Sequence, residues 1–513
     1  MSPYLLGIDG GTESLRAAIF DLEGELLASA ATAYDTQFPT PGWAEQDPRD
    51  WWRALGQSVR TVVDKACVDP ARIAAMSVDT TCCSVVALDE QGEPLRPSLI
   101  WMDLRSAPQT EKVLQTGDEA LQVNGNRQGP VSAEWMIPKA LWIKQNEPNL
   151  FARAATICEF QDYINLHLTG RRIASINNVS VRWHHDRRRG GLPESLLDRL
   201  ELGELAQKWP SEVLDLGQVI GPLTDSAAEH LGLPSRLPVV QGGADAFIGM
   251  VGLGVVRPGS LALITGSSHL QLGLSNQSFH GPGIWGTYSD ALLPGLHVVE
   301  GGQTSTGSVV NWLKRLYDVD DYEDLNREAR ELAPGCDGLV VQEHFQGNRT
   351  PHTDPSSRGA IHGLSLGHGR AHLFRAAIEG VAFGTELILE TMRSNGFHPD
   401  RIVAAGGATR SDLWLQIHAD VANLPLTLTT VPDAPLLGCA ILAAVGAGLY
   451  GDVQTAANNM VKVSRVIEPD AAAHAAYQPF YDTYKATYGA MRSLRQDLAP
   501  YVGDLNEARA SSG

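Results

Sequence analysis

The sequence predicts an α/β protein of two similarly built domains with a ligand cleft between them. Three observations predict it. Two apolar strands far apart in the chain, residues 4–9 and 260–264, run into tight turns of glycine and hydroxyl residues, Gly10-Gly11-Thr12 and Thr265-Gly266-Ser267-Ser268. A returning strand follows each turn, over 14–21 and 269–274. Such turns expose backbone N–H groups and hydroxyls that hold phosphate. Taken singly, either is an ordinary glycine hairpin. The pairing points to a duplicated domain clasping one nucleotide. The second observation is length, since 513 residues exceed one ordinary core. The third is the order of elements in the first hundred residues.

Residues 4–9, 14–21 and 25–31 form three strands, with Asp21-Leu-Glu-Gly24 as the second turn. Asp47-Pro48 then gives a helix cap and a first-turn proline, with Asp50 in the first turn. Trp52, Leu55, Val59, Val62 and Ala66 follow at spacings of three and four. Residues 73–79 and 85–88 are the next strands. Three hairpin strands, a helix and a further strand begin an actin-like (ribonuclease H-like) ATPase domain. The stretch from about 95 to 215 is rich in Trp, Asn, Arg and Pro and predicts an insertion that shapes a pocket. Within it, Arg187-Arg188-Arg189 is expected to be a solvated loop. Gly254 to Pro258 marks the boundary, giving domains 1–254 and 255–500. The two halves are expected to meet in few contacts and to close on the ligand. A helix over about 370–395 places Phe374, Ile378 and Val381 on one face and ends at Gly396. The polar tail after about 500 is expected to fray.

With 43% hydrophobic and 19% charged residues the chain is globular. A net charge of -19 argues against a general nucleic-acid or acidic-membrane binder. The longest apolar run, Leu436 to Tyr450, has fifteen residues and three glycines, too short for a bilayer span. The chain enters a strand at once, so no signal peptide is expected. Six cysteines without metal spacing predict a reduced, cytoplasmic protein with no structural zinc.

Asp9 and Thr12 end the first strand. A carboxylate there can hold Mg2+, often through water, while Gly11 N–H and the Thr12 hydroxyl meet phosphate oxygens. Ser267 occupies the equivalent place in the second half. Asp245 follows Gly242-Gly243 at a strand end and suits a helix cap or a catalytic carboxylate equally. Gly406-Gly407-Ala408 follows a strand, and such glycines let a flat ring or phosphate approach the backbone, or a helix pack closely. The insertion supplies Trp101, Asp103, Arg105, Glu134, Trp135 and Arg182, the aromatic, charged and amide surfaces a polyhydroxylated ligand needs. Adjacent His184 and His185 rarely point at one site, and no third ligand has suitable spacing for a metal.

These features together resemble the FGGY carbohydrate kinases, of the sugar kinase/actin/Hsp70 fold, from about residue 4 to about 490. The C-terminal family signature is complete: Gly359-Ala-Ile-His-Gly363-Leu364, seven residues, then His372-Leu-Phe-Arg-Ala376-Ala-Ile-Glu379. The N-terminal signature is partial, with Lys139-Ala-Leu-Trp142 fitting its second half and Glu134 to Pro138 departing from its first. The resemblance implies ATP and Mg2+, with Asp9 and Asp245 at the metal and Asp245 the catalytic base. Gly11, Thr12, Gly266, Ser267, Gly307, Asn311, Gly406, Gly407, Ala408 and Ser411 match ATP-site positions. Thr81, Asp103, Glu134, Arg182, Asp245 and Glu300 are the implied sugar ligands. Ser132-Ala-Glu134-Trp135, Glu300-Gly-Gly-Gln303 and Gly347-Asn348-Arg349-Thr350-Pro351 are most similar to ribulokinases, although Arg182 stands where L-ribulokinases tend to have Lys. The implied activity is phosphorylation of a pentulose, ribulose first. Kinases of xylulose, ribitol, erythritol or glycerol are the near alternatives, and a non-catalytic actin-fold nucleotide-binding protein is the distant one. The oligomeric state stays open, a homodimer included.

Overall fold

The computed structural model describes residues 2–124, 131–319 and 321–510, with side chains up to 495. Two mixed sheets form its frame. The first runs Val219–Pro222, Pro238–Ala244, Ile73–Thr80, Tyr4–Gly10, Ser14–Phe20, Leu26–Ala33. The second runs Gly286–Ser289, His297–Gln303, His269–Ser275, Ser260–Thr265, Arg401–Gly406, Leu426–Thr429, Val463–Ile467. They repeat one topology. Tyr4–Gly10 pairs antiparallel with Ser14–Phe20 and parallel with Ile73–Thr80. Ser260–Thr265 pairs antiparallel with His269–Ser275 and parallel with Arg401–Gly406. A further parallel strand and an antiparallel edge follow in both sheets. The second sheet adds Gly286–Ser289 beside His297–Gln303. The duplication expected from the paired turns is present strand for strand.

Local sequence explains the elements that frame the cleft. Leu5, Leu6 and Ile8 are fully buried, as a central strand covered on both faces requires. Helix Pro48–Ala66 starts where expected, Asp47 accepting the Arg49 N–H and Pro48 filling the first turn. Its apolar stripe starts one residue earlier than the spacing predicts. Trp51, not Trp52, enters the core, where it stacks on Phe160 at 3.7 Å. The insertion is a folded layer, not a loose loop. A four-stranded sheet of Glu45–Gln46, Ser98–Leu99, Val85–Leu88 and Thr156–Glu159 carries its own apolar core, including Met136, Ile137, Trp183 and Trp209. Helix Arg370–Ser394 buries Phe374, Ile378 and Val381 and ends before Gly396, whose φ of 101° suits glycine.

The halves share a continuous core, against the expectation of few contacts between them. Helix Asp245–Gly252 follows the strand Pro238–Ala244, and helix Ala434–Gly446 follows Leu426–Thr429, equivalent places in the repeat. The two helices cross at backbone distance. A Cβ on Gly438 would lie 2.1 Å from the Ile248 carbonyl oxygen, and one on Gly252 would lie 1.9 Å from that of Ala434. On the first sheet, a Cβ on Gly7 would lie 2.2 Å from the Leu436 carbonyl oxygen. Apolar packing runs from Leu5 and Phe20 through Val251, Leu437 and Ile441 to Leu272 and Val298. The longest apolar run of the sequence is therefore the buried helix that seats the second half on the first. Among the described residues no helix is long and apolar enough to cross a membrane. The last helix, Ala471–Ala510, continues past the point at about 500 where fraying is expected; residues 511–513 of that tail lie outside the described residues.

Candidate active site

Three parallel strands of the first sheet end at one edge. Their register sets Asp9 beside Asp79 and Ala244 beside Thr80, which places Asp245, the next residue, at the same edge. Close strand approach needs Gly242 and Gly243: a Cβ would lie 2.0 Å from the Val78 carbonyl oxygen or 2.8 Å from Asn177. Asn177 Oδ1 accepts the Ala244 N–H at 2.9 Å, and its Nδ2 donates to Ala291 of the second half at 2.7 Å. Asp245 opens its helix, Oδ1 accepting the Ala246 N–H at 2.7 Å. Burial, then the charge of Asp9, pushes its carboxyl up to about 7. Asp79 is raised further above the carboxylate range by burial beside Asp9 and Asp245. Burial also raises Asp9, opposed by its ion pair with Arg16, which reaches on to Asp433 at 2.7 Å.

Asp9 and Asp79 hydrogen-bond each other through their carboxyl groups, and the buried Asp9 Oδ1 and Asp79 Oδ1 find no other donor among the described residues. Two buried carboxyl groups sharing a proton beside a third fit a hard cation that takes the proton's place. Among the described residues no three His, Cys, Asp or Glu side chains enclose a cation. The fit is thus to an Mg2+ that keeps most of its water and phosphate ligands. The sequence reading passed over Asp79, although it ends an apolar strand just as Asp9 does. Arg16 was missed as well.

Across the cleft, the turn of the second sheet is built without ionised groups. The register pairs Thr265 with Gly406. Thr265 Oγ1 donates to the Ala405 carbonyl at 2.8 Å and accepts the Ala408 N–H at 3.2 Å. Gly307 N–H bonds the Gly266 carbonyl at 3.1 Å, and Thr306 N–H bonds that of Ser267 at 3.0 Å. A Cβ on Gly406, whose φ is 103°, would lie 1.9 Å from the Thr265 carbonyl oxygen. Gly266, Ser267, Gly307 and the Gly406-Gly407-Ala408 turn are thereby gathered, with exposed Asn311 one helical turn beyond Gly307. Ser411 is already engaged: it accepts the Trp414 N–H at 3.2 Å and donates to Asn326 at 2.7 Å. In the first turn, Gly11 N–H bonds the Ser14 carbonyl at 3.0 Å and Thr12 Oγ1 accepts Trp101 Nε1 at 2.9 Å.

The implied sugar ligands separate into distinct environments. Arg182 and Glu300 pair with each other from opposite halves, through two contacts of 3.1 Å. Tyr288 completes the cluster, donating to Glu300 at 2.6 Å and accepting from Arg182 at 3.0 Å. Burial alone would raise Glu300, but Arg182 and Tyr288 outweigh it and hold the carboxyl below its usual range. Asp103, against expectation, is wholly buried and engaged by Arg105 and by the Ala44 N–H at 2.7 Å, so it offers no acceptor to the cleft. Thr81 is buried, its N–H on the Gly10 carbonyl at 2.9 Å and its hydroxyl 3.5 Å from Ser84. Among the described residues, half-buried Glu134 makes no hydrogen bond or ion pair through its carboxylate. His184 and His185 are pushed down to about 4 by burial, hence neutral. Trp285 and Tyr288 carry no sequence signal of a site: Trp285 precedes and Tyr288 lies in the short strand Gly286–Ser289, in a glycine-rich segment without a recognisable motif.

A duplicated actin-like fold, with carboxylates on one lip of a cleft and a neutral glycine-hydroxyl cradle on the other, defines a phosphotransferase of the sugar-kinase class. The FGGY family of carbohydrate kinases matches through its N-terminal domain over residues 4–252 and its C-terminal domain over 261–447. This chain belongs to that family. It is 30% identical over 532 residues to the FGGY carbohydrate kinase domain-containing protein of Xenopus laevis, covering 94% of this chain and 95% of that protein. It is 30% identical over 562 residues to the ribulokinase of Shouchella clausii, covering 100% of this chain and 99% of that protein. The crystal structure of xylulose kinase from Rhodospirillum rubrum superposes with a TM-score of 0.85 at 30% identity, covering 96% of this chain and 100% of that one.

Proposed function

We propose that this carbohydrate kinase transfers the γ-phosphoryl group of ATP to a hydroxyl of a pentulose, with ribulose the preferred sugar. The observation that carries the reading is Asp245. It stands at the carboxylate lip with its carboxyl near 7, so that it is a usable base at neutral pH. Asp245 takes the proton of the sugar hydroxyl as that oxygen attacks the phosphoryl group in line. Thr12, Ser267 and the N–H groups of the two turns hold phosphate oxygens, and the Gly406-Gly407-Ala408 turn lies along the nucleotide base. Asp9, with Asp79 joining the expected Asp245 beside it, would hold Mg2+, which when bound would neutralise charge on the phosphates. Arg182 and Glu300 meet sugar hydroxyls at the far side of Asp245, their mutual pairing fixing both side chains beforehand.

Ribulose is favoured by the segments around Glu134, Glu300 and Asn348 and by the ribulokinase relatives. Xylulose is the second reading, favoured by the xylulose kinase relatives, one of them 28% identical over 510 residues. A coupled ADP-release assay over ribuloses, xyluloses, ribitol, erythritol and glycerol separates them. The expected result is the highest kcat/KM with D- or L-ribulose. Higher values with xylulose or glycerol remove the ribulose assignment, and no sugar-dependent ADP release removes the kinase assignment.

A further inference from the structure

One guanidinium near the Arg182–Glu300 pair makes no hydrogen bond or ion pair among the described residues. Arg349 lies 4.6 Å over the Trp285 ring. A Cβ on Gly302 would lie 2.9 Å from Arg349 Cδ and 3.4 Å from its Nη1, so the side chain crosses the bare backbone two residues after Glu300. The backbone beneath it is clamped to that strand, Thr350 N–H on the Gly302 carbonyl and Gly302 N–H on Thr350 Oγ1, both at 3.2 Å. Its charge contributes to holding the Glu300 carboxyl down. Yet the guanidinium makes no hydrogen bond or ion pair to any described residue, and the residue is half-buried. A guanidinium lying over a ring, without hydrogen-bond partners among the described residues, keeps its planar set of N–H donors free for a ligand.

The neighbours give its place along the cleft. Asp245 lies within electrostatic reach of Arg182. Arg182 lies 5.8 Å from the Trp135 ring, and Trp135 meets Trp285 edge-on at 6.5 Å. Arg349 thus stands beside the Arg182–Glu300–Tyr288 cluster, with Trp135 and Trp285 alongside it and Asp245 reached through Arg182. The two tryptophans come from opposite halves and give apolar surface for C–H groups. Resting on the kinase reading above, we propose that Arg349 is a specificity-determining residue that donates its fork to two neighbouring oxygens at the end of the sugar remote from the phosphorylated hydroxyl. The substrate class this selects is a chain long enough to reach from Asp245 to Trp285 and ending in adjacent hydroxyls. A site built to donate to such oxygens rejects analogues that lack them.

The test compares the best substrate of the pentulose panel with its deoxy analogue lacking the terminal hydroxyl that is not phosphorylated. Wild-type enzyme is expected to prefer the full sugar. Arg349→Gln is expected to lower kcat/KM for the full sugar about 10- to 100-fold, mainly through KM, the scale of a charge-assisted hydrogen bond. The same substitution brings the ratio between full and deoxy sugars close to one. Arg349→Lys, which keeps the charge and loses the planar fork, is expected to shift the ratio in the same direction by less, and it serves where Arg349→Gln does not fold. Equal losses on both sugars, or an unchanged ratio, overturn the proposal while leaving the kinase reading intact. No ADP release by wild-type enzyme with any sugar overturns the kinase reading itself.

Discussion

The two halves share a strand order and differ in charge at the equivalent turn. In the first sheet Asp9 pairs across the strands with Arg16, one pair back from the turn, and in the second Thr265 pairs with His269 at the turn itself. The first pair is ionic and continues to Asp433 in the other half. The second is neutral, because burial pushes His269 down to about 3. Beside Asp9 the parallel strand offers Asp79, whereas beside Thr265 it offers Gly406. A duplicated scaffold has thus been divided by chemistry. One copy collects the carboxylates to which the proposed mechanism assigns a proton and a cation. The other keeps hydroxyls and bare backbone, which can lie against phosphate oxygens without like-charge repulsion.

This division is open to experiment at both lips. Asp245→Asn removes the base and should lower kcat roughly 10²–10⁴-fold, with nucleotide binding retained. Stopped-turnover or steady-state kinetics on the purified variant decide it, and near-normal turnover removes Asp245 from the chemistry. The same residue sets a pH dependence. In the proposed role only ionised Asp245 would accept the proton, and burial pushes its carboxyl up to about 7. Accordingly kcat/KM for the sugar should fall as pH drops below about 7, and that limb should vanish in the residual activity of Asp245→Asn.

Next in size, Asp9→Asn should reduce turnover on the order of 10²-fold and raise KM for MgATP more than KM for sugar. A defect confined to sugar KM would assign Asp9 to the wrong part of the cleft. Smallest, Ser267→Ala removes one neutral hydroxyl from the second lip and should raise KM for ATP about threefold to tenfold. If Ser267→Ala instead proves as damaging as Asp9→Asn, the contrast between a charged and a neutral lip loses its functional meaning.

Much of this arrangement was legible before any coordinates. The turns at Asp9–Thr12 and Thr265–Ser268 announce themselves through glycine and hydroxyl residues at strand ends; at Gly10 the requirement is space, a Cβ there lying 2.9 Å from the Phe160 ring. Asp245 is visible for the same reason, behind Gly242-Gly243. What stayed hidden depends on contacts between distant segments. Nothing near Arg182 in the chain reveals that Glu300 and Tyr288 meet it from the other half. Asp103 looked like a ligand because it stands in a Trp-Met-Asp-Leu-Arg segment, yet Arg105, two residues on, engages it. The apolar run from Leu436 excluded a membrane span by length but gave no sign of the surface it packs on. Hydrophobic periodicity reports that a face is buried and is silent about its partner.

The glycines at the helix crossing carry a consequence for how damage to this enzyme is diagnosed. At Gly252 and Gly438 the backbones of the two halves touch without side chains between them. A methyl group there acts as a shim. It would prise the halves apart by a fraction of its own size and offset the carboxylate lip from the phosphate cradle, and displacements of about 1 Å in such geometry cost on the order of 10²-fold in rate. A fault introduced at the crossing would therefore present itself as a fault of the active site, with every catalytic side chain in place.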